Sequence, residues 1–589
     1  SKTAIFQSYI GLMLEKIRQY FIFGRLGVKL YVLAVITGLL ASLAIILLRL
    51  TIEHGQMLLL PSGEVEGFAS LPWWGLLGLP IVGGLLIGLL FRGLTQEQRT
   101  TGILHVIERL SAYEGRLPWQ NAVRQFIGTS IAIITGHSVG REGPGVHLGA
   151  ASGSLLANGL ELPNNSVRIL VASGTAAAIA ASFNTPIAGV IFAMEVIMME
   201  YYIASFIPVI LASVTGAVVC RLTFGDDTVF INLSAEMQSL WELPYIIFLG
   251  LVIGGLATIA LKTLTLFTNL YTNHPSWLRP VYAGILMGLC GMMVPEVMGM
   301  GYGIIGSISA NDIAIGTLVI IMVMKLLLSS ATVGLGIPAG VIGPTMVVGA
   351  CAGAILGYFG QILLPEYASS MTFYAVLGMC AMMSATLKAP LAALMAMLEL
   401  TGNPEIILPG MLAIVFSSLI THDYFKQEPL FVNMMRVKGL DFRNDPISQT
   451  LRKISVGAAM QRNIAVLNQT INRDLALHTL ENNPEWILIT KERNPIALMP
   501  ASDLARAVSV KEDEDESEID LMQIPATRRN VHKISLHTSL HEAYQALDKY
   551  EVEALYVSRQ STPMIDRIYG ILTREMIESH YQLPPSTRK

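Results

Sequence analysis

Gly140-Arg141-Glu142-Gly143-Pro144 places a carboxylate in a glycine-flanked break within an otherwise apolar stretch. Phe126 to Thr135 runs ahead of it, and the small-residue segment Gly145 to Ala157 follows. Charges at membrane depth are costly and persist mainly where they line a substrate or ion path. A Gly/Pro break at that depth is tolerated when the freed backbone faces protein or a water-filled cavity. Pro144 suits the first turn of a new helix, where its missing N–H costs nothing. A helix starting here turns unpaired N–H groups and the positive end of its dipole toward Glu142, which makes an anion site. The reading is an ion pathway with a carboxylate standing in it. The competing one is a structural carboxylate held by Arg141.

Composition agrees. Of 589 residues, 52% are hydrophobic and 14% charged, with mean hydropathy +0.55. An ordinary soluble domain is about 25% charged, so most of the chain belongs in lipid. The net charge of −4 points to no nucleic-acid partner. Cys220, Cys290, Cys351 and Cys380 lack metal-ligand spacing and read as small buried hydrophobes. No cleavable signal is expected; residues 1–27 read as a cytosolic or interfacial element, with Leu14 to Arg25 a basic amphipathic helix. Lys16, Arg18, Arg25 and Lys29 precede the first span, which places the N-terminus in the cytoplasm.

Upstream of about residue 440, apolar stretches follow one another closely. Val28–Leu50 and Trp74–Gly93 have ordinary spanning length. Others are cut by Gly and Pro at 140–144, 183–186, 334–344 and 387–390. Such breaks at matching points of two halves point to a transporter's binding site. The halves are visible. Gly174 to Pro186 parallels Gly378 to Pro390, and nine residues past each proline stands a glutamate, Glu195 and Glu399. Gly143-Pro144 with Gly149, Ala150 and Gly153 parallels Gly343-Pro344 with Gly349, Ala350 and Gly353. The expected fold is an all-α polytopic membrane protein over 28–440, with an inverted internal repeat (about 28–240 and 241–440) and broken helices.

From residue 441 the chain reads as soluble α/β. Residues 450–508 and 521–582 each mix short strand patterns with helix; Trp486–Thr490, Ala554–Val557 and Ile568–Leu572 are the strands. Leu540–Tyr550 is a helix with Thr538-Ser539 as its cap. The acidic run 511–518 between them is a solvated linker.

The membrane part resembles the CLC family of chloride channels and chloride/proton antiporters. Gly140 to Pro144, Phe183-Asn-Thr-Pro-Ile-Ala-Gly-Val-Ile-Phe-Ala-Met-Glu195 and Gly336-Ile-Pro-Ala-Gly-Val-Ile-Gly-Pro344 carry the likeness. The tail is similar to a tandem pair of cytosolic CBS modules. The resemblance implies a homodimer in the plasma (bacterial inner) membrane, with one chloride pathway per subunit and both termini cytoplasmic. It makes Glu142 the gate, a carboxylate that mimics an anion and swings away when protonated or displaced by chloride. Gly140, Arg141 and Gly143 would frame the outer anion site, and Val341 and Ile342 would offer backbone N–H groups to a central chloride. Chloride is then the substrate, no cofactor is implied, and the protein is not an enzyme.

Departures from the family pattern carry information too. Antiporters of this family usually have a second glutamate, the internal proton carrier, where Val196 stands here. Valine relays no proton, which favours passive conduction; water could still replace the carboxylate, so chloride/proton exchange is the alternative. Phe431 stands where a tyrosine hydroxyl commonly meets the central chloride, and a hydrogen bond to a charged group is worth about 1.5–3 kcal/mol. The family's Gly-Ser-Gly-Ile-Pro is reduced to Thr100-Thr101-Gly102-Ile103-Leu104, with Thr101 either supplying the hydroxyl or acting as an ordinary helix cap. Fluoride-exporting members typically lose the gate-motif proline, and Pro144 is present. In the tail, the ribose-binding Gly-x-x-Ser/Thr-x-x-Asp pattern for adenine nucleotides survives only as Asp503 in one module and Thr573 in the other. A structural or dimerising tail is therefore preferred to a nucleotide sensor. His147 lies close past the gate and either packs or tunes the pH response. No His-Glu-x-x-His motif supports a zinc protease, and few carboxylates in the spans support a divalent-cation path.

Overall fold

The computed structural model describes residues 26–201, 203–225, 236–270, 273–437, 451, 454–492, 494–510, 518–536, 538–562 and 565–579. The amphipathic helix expected over 14–25, the acidic run apart from Glu518, and the stretch around residue 440 lie outside them. The chain forms two compact units, residues 1–161 with 166–442 and residues 162–165 with 443–589.

The first unit is helical. Helix α1 (Leu26–Leu59) runs beyond the apolar stretch Val28–Leu50, and Arg49 and Glu53 pair one turn apart at 2.6 Å across the end of that stretch. Helix α2 (Trp73–Leu90) stops before Gly93, which turns the chain at φ +75°, where glycine pays no steric penalty. There follow α3 (Gly102–Ala112), α4 (Trp119–Ile134), α5 (Glu142–Gly159), α6 (Asn164–Phe183) and α7 (Pro186–Phe192), the last continued by a π-helical turn, Ala193–Met198. After α8 (Ile203–Phe224), α9 (Leu243–Leu270), α10 (Arg279–Met293), α11 (Tyr302–Ser309) and α12 (Ile315–Gly334) come α13 (Ile342–Leu363), α14 (Met371–Leu387), α15 (Pro390–Thr401), α16 (Ile407–Ser418) and α17 (Leu430–Val437). Among the described residues, eight helices are long and apolar enough to cross a membrane, while 186–198, 371–387 and 390–401 are apolar but short.

The repeated sequence blocks fold alike. Helices α5 and α6 cross at Gly149 and Gly174, where a Cβ on either would overlap the other's carbonyl oxygen. Helices α13 and α14 cross in the same way at Gly349 and Gly378. Small residues let helix backbones touch where lipid supplies no hydrophobic drive between helices. The glycines shared by the two blocks are thus the contact points of two equivalent helix pairs.

Apart from a small antiparallel pair, Thr470–Ile471 with Ile519–Asp520, the second unit repeats a β-α-β-β-α order. The first copy is β1 (Ile464–Asn468), α18 (Arg473–Glu481), β2 (Trp486–Lys491), β3 (Asn494–Pro500) and α19 (Ala501–Val510). The second is β4 (Arg529–Ser535), α20 (Leu540–Lys549), β5 (Ala554–Thr562), β6 (Ile565–Thr573) and α21 (Arg574–Ser579). In each copy the first two strands pair parallel and the next two antiparallel. Strands β3 and β4 join the copies into one six-stranded sheet. Each has its own core, around Ile487, Ile489, Met499 and Leu504, and around Leu540, Leu547, Leu555 and Leu572. Ser539 caps α20, accepting from the Glu542 N–H at 3.3 Å.

Candidate anion pathway

Helices α5 and α13 begin face to face. The Gly140 N–H donates to the Gly340 carbonyl at 2.7 Å and the Gly340 N–H to the Gly140 carbonyl at 2.9 Å. From α4, Gln125 Nε2 and Thr129 Oγ1 each donate to the Pro338 carbonyl at 2.7 Å, while Gln125 Oε1 accepts from the Gly102 N–H at 2.5 Å. One side chain thereby ties the start of α3 to the loop that starts α13. Three helix starts are drawn together, and the N–H groups of a first turn have no partner within their own helix.

A cavity of about 600 Å³ opens onto these starts. Thr101, Gly143, Val341, Ile342 and Phe431 all line it. Thr101 occupies the N-cap position of α3, and its side chain makes no capping hydrogen bond. Phe431 is 8% exposed and presents only a ring. Arg99 and Arg279 also line the cavity, and among the described residues no aspartate or glutamate does.

Glu142 is the first residue of α5 and 1% exposed. Its Oε1 accepts a hydrogen bond from the Tyr302 hydroxyl. Its Oε2 lies against the opposite helix start, where a Cβ on Gly140 or Gly343 would collide with it. Among the described residues, Arg141 makes no hydrogen bond or ion pair with it and acts on it only through its charge. That guanidinium reaches instead toward Glu53 on α1, Nη1 to Oε1 at 4.0 Å. The cavity runs up to Gly143 and Ile342, and the carboxylate stands next in the chain to Gly143, against the backbone of the opposite helix start. Helix starts favour negative charge, and the buried carboxylate is set among them.

The family model described as "Voltage gated chloride channel" matches residues 83–422. The chain belongs to the CLC family. It is 32% identical to a putative chloride channel protein ClcB-like of Ralstonia nicotianae, over 61% of this chain and 85% of that one. It is 29% identical to the H(+)/Cl(-) exchange transporter ClcA of Vibrio cholerae, over 52% and 69%. The crystal structure of a slow cyanobacterial Cl-/H+ antiporter shares the fold at TM-score 0.62 and 20% identity, covering 71% of this chain and 98% of that one. As a CLC protein the chain transports chloride, needs no cofactor, and is not an enzyme.

Elsewhere in this CLC chain, Val196 sits on the π-helical turn, 3% exposed, and α3 packs against that turn. Its neighbour Glu195 is a hydrogen-bonding carboxylate, accepting from the Leu391 and Ala392 N–H groups at 3.3 and 2.8 Å. His147 Nε2 lies 2.8 Å from His105 Nδ1, and Arg109 Nε donates to His105 Nε2 at 3.0 Å, with Glu97 on the far side of Arg109. Arginine only donates. His105 therefore accepts at Nε2 and donates from Nδ1, which makes His147 Nε2 an acceptor and leaves the ring proton of a neutral His147 on Nδ1. In the tail, Asp503 accepts from the Thr527 N–H at 3.0 Å and Thr573 Oγ1 from the Met576 N–H at 3.4 Å.

Sequence reasoning missed Tyr302, Arg99, Arg279 and His105. Gly299-Met-Gly-Tyr-Gly303 was a signal of sorts, a glycine-rich turn within an apolar half. Nothing in it indicates a partner 160 positions away.

Proposed function

We propose that this CLC protein is a chloride channel gated by Glu142. The observation that carries this reading is the carboxylate seated where the α5 and α13 starts meet, beyond the end of a cavity whose charged lining is cationic. In the resting arrangement the carboxylate occupies the outer anion site, framed by Gly140, Arg141 and Gly143. Chloride entering through the cavity reaches the N–H groups of Val341 and Ile342 and competes for that place. Protonation makes the carboxyl neutral and releases it, so acid favours opening. Thr101 lends a hydroxyl at the inner end, and Phe431 lends none, which keeps the central site weak and throughput fast.

Passive conduction is favoured over exchange. Val196 has no proton to pass, and the nearby imidazoles offer no free basic nitrogen while Arg109 fixes their donor order. On this reading His147 is a packed, neutral histidine rather than a tuner of pH response. Chloride/proton exchange remains the alternative and would need a water route past Val196. Fluoride export is disfavoured because Pro144 is retained in the first turn of α5.

We assign the second unit to a CBS pair from its twice-repeated β-α-β-β-α order. Asp503 and Thr573 are both engaged with backbone N–H groups, which supports a structural or dimerising tail over an adenine-nucleotide sensor. The full assembly on this account is a homodimer in the bacterial inner membrane, with an inverted repeat in each subunit and both termini cytoplasmic.

Glu142→Gln tests the gate. It mimics the protonated carboxyl, so chloride flux in liposomes should rise and lose its pH dependence. Unchanged flux and pH response would remove Glu142 from the gate.

A further inference from the structure

Tyr302 is half-buried at the first position of α11, and among the described residues its hydroxyl is the one side-chain group that donates a hydrogen bond to the Glu142 carboxylate, beside the backbone N–H groups of Glu142 and Gly343. The segment that delivers it, residues 297–301, is clamped by two charged side chains from different parts of the chain. Glu66 Oε1 accepts from the Met300 N–H at 2.5 Å and the Gly301 N–H at 3.0 Å. Lys325, fully buried on α12, donates to the Val297 carbonyl at 3.2 Å and the Gly299 carbonyl at 3.1 Å. The same ammonium donates to Ser138 Oγ at 3.3 Å, in the loop that leads to Glu142. Gly299 and Gly301 sit at φ +68° and +80°, and a Cβ on them would press on Glu66 and Lys325 respectively. The strap is thus bent tightly around its two clamps and tied to the gate loop.

We infer that Tyr302 is the latch of the gate, its hydroxyl holding Glu142 in the blocking position at a distance fixed by the Glu66 and Lys325 clamps. This rests on the reading of Glu142 as the gate and adds the group that sets its resting state. The other charged groups near the gate make their hydrogen bonds and ion pairs elsewhere, and Arg141 acts on Glu142 only through its charge. Arg141 faces Glu53, and Lys325 is spent on two carbonyls and a hydroxyl. A hydrogen bond to an ionised acceptor is about twice as strong as a neutral one. Removing the phenolic donor leaves the carboxylate to its glycine cradle alone and shifts the closed-to-open balance toward open by roughly ten- to a hundredfold. Tyr302 acts on chloride through Glu142, so it is a positioning residue.

The test is a four-member cycle of chloride efflux from liposomes at neutral pH and saturating chloride: the parent chain, Tyr302→Phe, Glu142→Gln and the double variant. Coupled residues give non-additive cycles. Tyr302→Phe should raise flux severalfold toward the Glu142→Gln level, and the double variant should match Glu142→Gln alone. Flux unchanged in Tyr302→Phe, or the same factor gained again on top of Glu142→Gln, overturns the latch while leaving the gate intact. A Glu142→Gln chain indistinguishable from the parent removes both. If Tyr302→Phe does not assemble, Glu66→Gln loosens the strap without touching the carboxylate. It should raise flux in the same direction, and no change there also counts against the latch.

Discussion

Glu195 and Glu399 cap each other's helices. Glu195, at the end of the segment begun by Pro186, accepts from the Leu391 and Ala392 N–H groups at the start of α15. Glu399, near the end of α15, accepts from the Ile187 and Ala188 N–H groups at the start of α7, both at 2.8 Å. Each Pro-led helix therefore runs antiparallel to its copy and donates its first turn to the other's carboxylate. That exchange supports the inverted relation proposed for the two halves. It also explains why each proline is followed, nine residues on, by an acid.

The exchange predicts symmetric costs. Glu195→Gln and Glu399→Gln each trade a carboxylate for an amide with a single acceptor oxygen. Each should cost about 1.5–3 kcal/mol of stability, read as an earlier denaturation midpoint of the purified protein. Equal midpoints for parent and variants would show that these carboxylates do not support the helix pair.

Phe431 leaves the cavity wall without a hydroxyl. Phe431→Tyr adds a donor at the rim, and chloride affinity measured by calorimetry should tighten roughly tenfold or more. An unchanged affinity would place Phe431 outside the chloride site.

Arg99 and Arg279 give the cavity two positive charges, with no carboxylate in its lining among the described residues. Arg279 is fixed by its own donation to the Thr268 and Gly334 carbonyls at 3.3 and 3.0 Å. A cleft lined by one sign of charge concentrates counter-ions, and salt screens the effect. Arg279→Gln should lower chloride flux at low ionic strength by roughly tenfold and converge on the parent at high salt. Equal deficits at both salt levels would mean that the side chain acts by packing.

In the second unit, Arg529 Nη1 meets Glu575 Oε2 at 2.8 Å, and its hydrogen bond holds that carboxyl down at about 2. An ordinary glutamate titrates near 4.3. A lowered value means the pair's contribution is complete above about pH 4.3 and fades as pH falls toward 2. Glu575 is well exposed, so the effect is at most about 1 kcal/mol. Hydrogen exchange across β5 and β6 of the full chain should rise between pH 4.5 and pH 3, and Glu575→Gln should flatten that rise. An identical profile in the variant would show that the pair does not stabilise the sheet.

Much of this architecture is legible because it is local. Glycine and proline breaks at 140–144 and 336–344 mark helix starts, and the glycines shared by the two blocks mark crossings whose closeness leaves no room for a side chain. The carboxylate at Glu142 stands out because a charge in an apolar stretch demands a reason. What escaped is what long-range packing decides. Tyr302 comes to Glu142, Lys325 to Ser138 and His105 to His147 across gaps that no local pattern spans. Arg141 adjoins Glu142 in sequence and was the natural partner to consider, yet it faces Glu53.

The central claim is passive, Glu142-gated chloride conduction, and the reversal potential of the purified protein in liposomes tests it most directly. A chloride gradient is set first, and a pH gradient is then added. The account predicts a potential that follows chloride alone and does not move when the pH gradient is imposed. A shift with pH, or chloride driven uphill by protons, would contradict it and establish exchange by a route that bypasses Val196.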